Sequence, residues 1–315
     1  SSKQSTIIVP EPGDDRLYYV FSNNYGGYYE IYYQYEGIYY SIVDMNSNDG
    51  LGKVIKKNVH LIDSTTEQLT AVRHRNGVDY WIVTHENLGN KFYEFLLTRK
   101  DPEGPVISEV KPEYELPSNT GIIKISPNGK YLYAGNHGIN SAGIIAKSSA
   151  DLYKFDNLTG EISDSRNLAS NYGTEHEADF LGAEFSPDGS KLYIQLDFDK
   201  SKPYVKLYQY ELNQEDIYKF WSSKYYLTSN ISMDSQCMQL APDGKIYLAN
   251  QGKKYLHIIN NPNKKGDACG LEKNGFYLGG KESSRDLPQF VSSFLFKANV
   301  RSNSPVCKGD TIKLS

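Results

Sequence analysis

Short apolar runs alternate with polar turn clusters along the whole chain, and the runs have the length of strands rather than helices. They fall into five groups of four. The first group is Ile7–Val9, Leu17–Phe21, Ile38–Asp44 and Val54–Val59, and the second is Leu69–Arg73, Tyr80–Thr84, Phe92–Leu97 and Val106–Val110. The third comprises Ile122–Ile125, Tyr131–Ala134, Leu152–Phe155 and a strand near Ile162. The fourth comprises Ala183–Phe185, Leu192–Gln195, Val205–Tyr210 and a segment near Trp221–Leu227. The fifth comprises Met238–Leu240, Ile246–Ala249, Leu256–Ile259 and Gly275–Leu278. A last strand is predicted over Phe290–Phe296. The best helical stretch, Asn213–Trp221, is short.

Three segments are near copies: Ser126-Pro-Asn-Gly-Lys-Tyr-Leu-Tyr133, Ser186-Pro-Asp-Gly-Ser-Lys-Leu-Tyr193 and Ala241-Pro-Asp-Gly-Lys-Ile-Tyr247. Proline presets φ at the second position of a tight turn, Asn or Asp tolerates the third, and glycine takes the positive φ that follows. Their prolines are 60 and 55 residues apart, a period that marks a repeat architecture. The third strands echo one another as well: Leu152-Tyr-Lys-Phe-Asp156, Leu207-Tyr-Gln-Tyr-Glu211 and Leu256-His-Ile-Ile-Asn260. A hairpin recurring at this spacing predicts an all-β propeller of four-stranded blades, five of them countable here.

Composition agrees with that architecture. Tyrosine, with 27 copies, suits half-buried strands, and 26 glycines with 13 prolines supply turns. The net charge is −4 with scattered basic residues, which argues against a nucleic-acid footprint. No apolar run approaches the ~18 residues of a membrane span. The opening Ser-Ser-Lys-Gln-Ser has neither an initiator Met nor a signal peptide, so a mature or excised segment is expected.

Several motifs in combination resemble a known family. They are Gln4-Ser-Thr-Ile-Ile-Val-Pro-Glu-Pro-Gly13, Tyr18-Tyr-Val-Phe21, Tyr40-Ser-Ile-Val-Asp-Met45, Glu67-Gln-Leu-Thr-Ala-Val-Arg-His74 and Asn76-Gly-Val-Asp-Tyr-Trp-Ile82 with His85. Further along come Tyr172-Gly173, Glu184-Phe-Ser-Pro-Asp-Gly189, Gln239-Leu-Ala-Pro-Asp-Gly-Lys-Ile-Tyr247, Asn261-Pro-Asn263 with Gly266 and Cys269, and Leu287-Pro-Gln-Phe290. Together they resemble the propeller region of large Bacteroidetes surface proteins, which carry PKD or Ig-like repeats and gliding-motility-associated C-terminal domains. The resemblance implies a propeller over residues 1–300 and a linker with the opening strand of an Ig-like domain over 301–315, with Cys307 paired inside that domain. It implies six blades in the intact protein, export by the type IX route, and display at the cell surface or release. No enzymatic activity, cofactor or catalytic residue comes with it.

The densest anomaly is Tyr25–Tyr40, with eight tyrosines in sixteen residues. Tyr28, Tyr29, Tyr32, Tyr33 and Tyr35 cannot all point inward on a strand of period two, so they are candidate ligand-binding residues for a protein or glycan. The structural alternative is an extended hairpin whose rings pack across the strands. Glu67, His74, Asp79, Trp81 and His85 cluster in the second unit; turn hydrogen bonds explain His74 and Asp79 better than a metal does. Asp44-Met-Asn-Ser-Asn-Asp-Gly50 fails the spacing of a calcium loop and reads as a polar hairpin. His60, His137, His176 and His257 stand alone. Export would permit a disulfide between Cys237 and Cys269.

The expected function is therefore a non-enzymatic binding or spacer module with neither metal nor cofactor. Two alternatives stand beside it: a propeller hydrolase or lyase acting on polysaccharide, and a docking face for the secretion machinery. An enzyme would bring several carboxylates, His or Arg together at one channel mouth; a binding module would present an exposed aromatic patch at a rim or loop.

Overall fold

The computed structural model describes residues 4–25, 35–87, 89–114, 118–139, 145–172, 179–197, 204–232 and 237–295. Five four-stranded antiparallel meanders follow one another along the chain. The first blade is β1 (Thr6–Pro10), β2 (Leu17–Tyr25), β3 (Tyr35–Asp44) and β4 (Lys53–Ile62). The second is β5 (Thr65–Arg73), β6 (Tyr80–Glu86), β7 (Gly89–Leu97) and β8 (Pro102–Tyr114), and the third is β9 (Ser118–Ile125), β10 (Tyr131–Ile139), β11 (Ile145–Phe155) and β12 (Ile162–Tyr172). The fourth is β13 (Asp179–Phe185), β14 (Lys191–Asp197), β15 (Tyr204–Glu211) and β16 (Tyr225–Ser232), with the short helix α1 (Ile217–Ser222) between its last two strands. The fifth is β17 (Met238–Leu240), β18 (Ile246–Leu248), β19 (Tyr255–Ile259) and β20 (Leu271–Tyr277). The architecture is a β-propeller with the first strand of each blade innermost.

The turn chemistry sets this layout. In each of the three repeated turns the amide of Gly129, Gly189 or Gly244 donates to the carbonyl three residues earlier, at 2.8, 2.8 and 3.0 Å. All three glycines have positive φ. Pro127, Pro187 and Pro242 thus occupy equivalent turns between first and second strands. In the second and first blades the carbonyls of His74 and Glu11 accept the matching bonds, from the amides of Gly77 and Asp14.

An aromatic side chain on the second strand carries each blade onto the next. Tyr19, Trp81, Tyr133 and Tyr193 are equivalent in register and buried. The polar tip of three of them donates to the following blade's turn between third and fourth strands: Tyr19 to Asp101 Oδ1 (3.3 Å), Trp81 to the Asn157 carbonyl (3.2 Å) and Tyr193 to the Pro262 carbonyl (2.8 Å). In the remaining case Tyr131 donates to the Leu212 carbonyl at 2.8 Å. Gly160, at φ 83°, lies under the Trp81 ring, where an added Cβ would come within 2.7 Å. Gly160→Ala is therefore expected to destabilise the protein by about 2–4 kcal/mol, since both the backbone and the ring must give. Urea unfolding measures this, and Thr159→Ala, one residue away and exposed, is the control.

The predicted strand Phe290–Phe296 is corrected: residues Ser292–Leu295 form a short helix, α2. Tertiary contacts override the strand-like composition here. The Arg73 amide donates to Ser293 Oγ at 2.7 Å, and Val291 enters the apolar core between the first and second blades. Residues 283–293 thus form a strap. It starts on the fifth blade, where the Gly252 amide donates to the Ser283 carbonyl (2.9 Å) and the Ser283 amide to the Lys253 carbonyl (2.8 Å), and it ends on the second. The proposed Ig-like opening, residues 301–315 with Cys307, lies outside the described residues.

Candidate active site in the channel

Two residues before each repeated turn, where the inner strand is otherwise apolar, the chain places Lys124, Glu184 and Gln239. The three are equivalent in register, each opposite the second-strand aromatic of its own blade. The fold brings them together from three successive blades. Lys124 Nζ donates to Glu184 Oε2 (3.0 Å) and to Gln239 Oε1 (2.9 Å). The Glu184 carboxylate also accepts the amides of Leu240 (3.1 Å) and Phe185 (2.9 Å). All three side chains are buried.

The strap adds a second carboxylate. Burial pushes the Cys237 thiol pKa up; Lys124 pulls it down, while Asp286 and Glu184 raise it. Lys124, Glu184 and Asp286 therefore all lie within electrostatic range of Cys237. Asp286 is partly exposed, unlike the other two. Gln4 closes the neighbouring wall: its side chain accepts the Ile123 amide (2.7 Å) and donates to the Ile123 carbonyl (3.0 Å).

The second-unit cluster does not assemble. His74 and Asp79 belong to the 1–2 turn, where the Asn76 amide donates to His74 Nδ1 (3.0 Å) and Asn76 Nδ2 to Asp79 (2.6 Å). His85 sits at the far end of β6, buried edge-on against Phe92, with the Glu86 carbonyl 2.6 Å from Nδ1. Its burial lowers its pKa to about 4. Asp44 accepts from the Asn46 amide (2.9 Å) and the Ser47 hydroxyl (2.8 Å), the bonding of a polar hairpin. Cys237 and Cys269 are both free and buried, so no disulfide joins them.

Of the candidate ligand-binding tyrosines, Tyr28, Tyr29, Tyr32 and Tyr33 lie outside the described residues. Tyr35 opens β3 opposite Tyr25.

One further carboxyl group is unusual. Glu94 on β7 is fully buried, and among the described residues neither of its carboxyl oxygens has a hydrogen-bond partner. Burial pushes its pKa up to about 8, with Glu161 adding to the rise and Ser108 opposing it. Two surface grooves of about 500 and 600 Å³ run along the 1–2 turn face beside Lys130 and Lys154. Neither is lined by any of the channel groups.

Sequence reasoning overlooked Lys124, Glu184, Gln239 and Asp286. The legible signal was a polar residue at one register, two before the turn, in three apolar strands.

No protein-family model and no curated protein matches the chain. Solved structures do. A periplasmic gluconolactonase from Pseudomonas aeruginosa is similar over 89% of this chain and 86% of its own, at 12% identity and TM-score 0.40. An endo-arabinase from Bacteroides thetaiotaomicron is similar over 86% and 92%, at 12% identity and TM-score 0.45. An exo-β-1,3-galactanase from Phanerochaete chrysosporium is similar over 87% of this chain and 63% of its own, at 7% identity and TM-score 0.43.

The expectation of a non-enzymatic binding or spacer module is corrected at this point. The three similar structures are of a gluconolactonase, an endo-arabinase and an exo-β-1,3-galactanase, not of binding or spacer modules. Among the described residues no helix is long and apolar enough to cross a membrane.

Proposed function

We propose that the protein is a propeller hydrolase or lyase acting on polysaccharide, with its working groups in the channel around Lys124, Glu184 and Asp286. The observation that supports this reading is the convergence of Lys124, Glu184 and Gln239 from three blades, with Asp286 of the strap within electrostatic range of the neighbouring Cys237. Few polar groups aimed into an otherwise apolar interior are the usual makings of a substrate site.

The groups differ in what they can do. The Glu184 carboxylate is already engaged by an ammonium and two amides. It serves to position Lys124. Lys124 has three N–H donors, two of them given to Glu184 and Gln239. The third offers positive charge to a sugar carboxylate or to a departing oxygen. Asp286 is the accessible carboxylate and the candidate general base. For a hydrolase it would activate water; for a lyase it would take the proton beside the sugar's carboxylate.

The family resemblance makes the natural setting the outside of the cell, with a surface glycan as substrate. The test is incubation of the purified protein with neutral and uronate-bearing polysaccharides. Release of reducing ends reports either reaction, and ultraviolet absorbance of an unsaturated product reports elimination. Asp286→Asn is expected to lower the rate about a hundredfold or more. An Asp286→Asn protein as active as the parent, or a parent inert on every polysaccharide, refutes the reading.

A further inference from the structure

The two grooves on the 1–2 turn face adjoin one another. The larger, about 600 Å³, lies over the third blade where its turns meet Arg75 of the second. The smaller, about 500 Å³, lies where the third blade meets residues 212–215 of the fourth. Lys130 and Lys154 stand in the walls of both, so the grooves share a side. Lys130 follows Gly129 in the turn that ends the inner strand of Lys124. The grooves therefore open at the end of the ring at which Lys124 stands.

Four cations line the pair, and they are spread along it. Arg75 belongs to the larger groove alone, Arg166 to the smaller alone, and Lys130 and Lys154 to both. Arg75, Lys130 and Lys154 are exposed, and Arg166 is half-buried. Lys154 stands on the third strand between Tyr131 of the second and Ser163 of the fourth. Arg166 is held in place: its guanidinium donates to the Gln214 carbonyl at 3.2 Å and lies over the Phe220 ring at 5.1 Å. Among the described residues Lys154 forms an ion pair, with the exposed Asp164, and the other three form none.

This distribution selects among anions. A single small anion would meet one or two of the cations, whereas a polymer with charges repeated along it meets all of them. Between the cations the walls carry neutral hydrogen-bonding groups, the Ser163 hydroxyl and the Asn213 amide, which suit sugar hydroxyls because both donate and accept. Two carboxylates, Asp156 and Glu215, also line the grooves. They accept from hydroxyls that a polysaccharide carries beside its own carboxylates. A DNA backbone has no hydroxyl and would face them with acceptors alone, and the protein's net charge of −4 opposes it further.

We propose that the two grooves form one site, outside the channel, that binds an extended chain of acidic, carboxylate-bearing polysaccharide. The choice of a sugar polymer rests on the reading given under Proposed function, and the site narrows that reading from polysaccharide in general to uronate-bearing polysaccharide. Lys130 and Lys154 grip the middle of the chain, and Arg75 and Arg166 hold its two ends. The contacts are exposed and ionic, so they set affinity and are screened by salt. They hold the polymer on the face where the channel lysine stands, and they take no part in bond cleavage.

The test is affinity electrophoresis of the full chain through gels containing polygalacturonate, alginate or hyaluronan, with fully methyl-esterified polygalacturonate and duplex DNA as comparisons. The Asp286→Asn background keeps the polymer uncut during the run. Retardation is expected by at least one of the three acidic polysaccharides, weakening as salt is added, and not by the ester. Lys130→Ala with Lys154→Ala is expected to weaken it about tenfold, the sum of two exposed charge contacts. Lys253→Ala, an exposed lysine of the fifth blade, is the control and should leave it unchanged. Retardation by none of the three overturns the proposal, as does a folded double variant that binds like its parent. Equal retardation by the ester shows that charge is not what is read, and tighter binding of DNA assigns the grooves to nucleic acid; either result overturns it too. Should the double variant not fold, Arg75→Glu, in an exposed turn, decides on the same scale. The two readings fail separately. A parent inert on every polysaccharide, with binding that the groove variant loses, removes the catalytic reading and keeps this site. A parent that cleaves, with binding unchanged in the groove variant, does the reverse.

Discussion

Lys124→Met alone is expected to cost about 3–5 kcal/mol of stability, because it leaves the Glu184 carboxylate buried without its cation. The loss is an effect of stranding one partner, so the double replacement Lys124→Met with Glu184→Leu should recover most of it. A buried ion pair replaced by apolar residues of similar volume is often neutral or better. Urea unfolding of the four proteins of this cycle gives the coupling directly. A single variant no less stable than the parent would mean that water reaches Glu184, and that the channel is wetter than its burial implies. The pair sits where catalysis is proposed, so the stable double variant should also be inactive.

Glu94 should give the protein an unusual decline in stability toward alkaline pH. Folded Glu94 holds its proton to about pH 8, whereas an ordinary carboxyl releases it near 4.5. Between those limits the folded state carries the extra proton, so stability falls as pH rises and the loss is complete above about 8. At ~1.36 kcal/mol per pH unit the full span is on the order of 5 kcal/mol. His85 acts in the opposite sense: its pKa falls from 6.5 to about 4 on folding, so its contribution to stability rises with pH across that window. The two slopes offset each other from about pH 4.5 to 6.5, and the decline from Glu94 stands alone from about 6.5 to 8. Glu94→Gln should abolish that decline and be the more stable protein at pH 8. Denaturant midpoints across this range check it, and a parent curve flat from pH 6.5 to 8 would count against the assignment.

The blades were legible because their signals are local. A Pro-Asn/Asp-Gly turn and two flanking apolar runs lie within a dozen residues, and turn chemistry alone fixes such a hairpin. The short helical candidate Asn213–Trp221 likewise contains α1, capped by the Asp216 side chain on the Lys219 amide at 2.9 Å. The site was not legible. Lys124 and Glu184 are 60 residues apart, and each reads as a stray polar residue in an apolar strand. Only their common distance from the turn places them on one axis. The strap failed for a different reason. Val291-Ser-Ser-Phe-Leu-Phe296 has the composition of a strand, but the inner strand it meets offers one amide at Arg73 and an apolar socket, which a hydroxyl and a short helix fill.

The position of the strap has a consequence for how the polypeptide emerges from the ribosome. Its residues are translated after all five blades, yet one of its contacts lies between the first two. An incomplete nascent chain therefore lacks Val291 in the core between these blades, and the Ser293 hydroxyl on the Arg73 amide, for as long as the next two hundred residues take to appear. Native closure of these two blades waits until the strap has been made, and through that interval they are exposed to holdase chaperones and proteases.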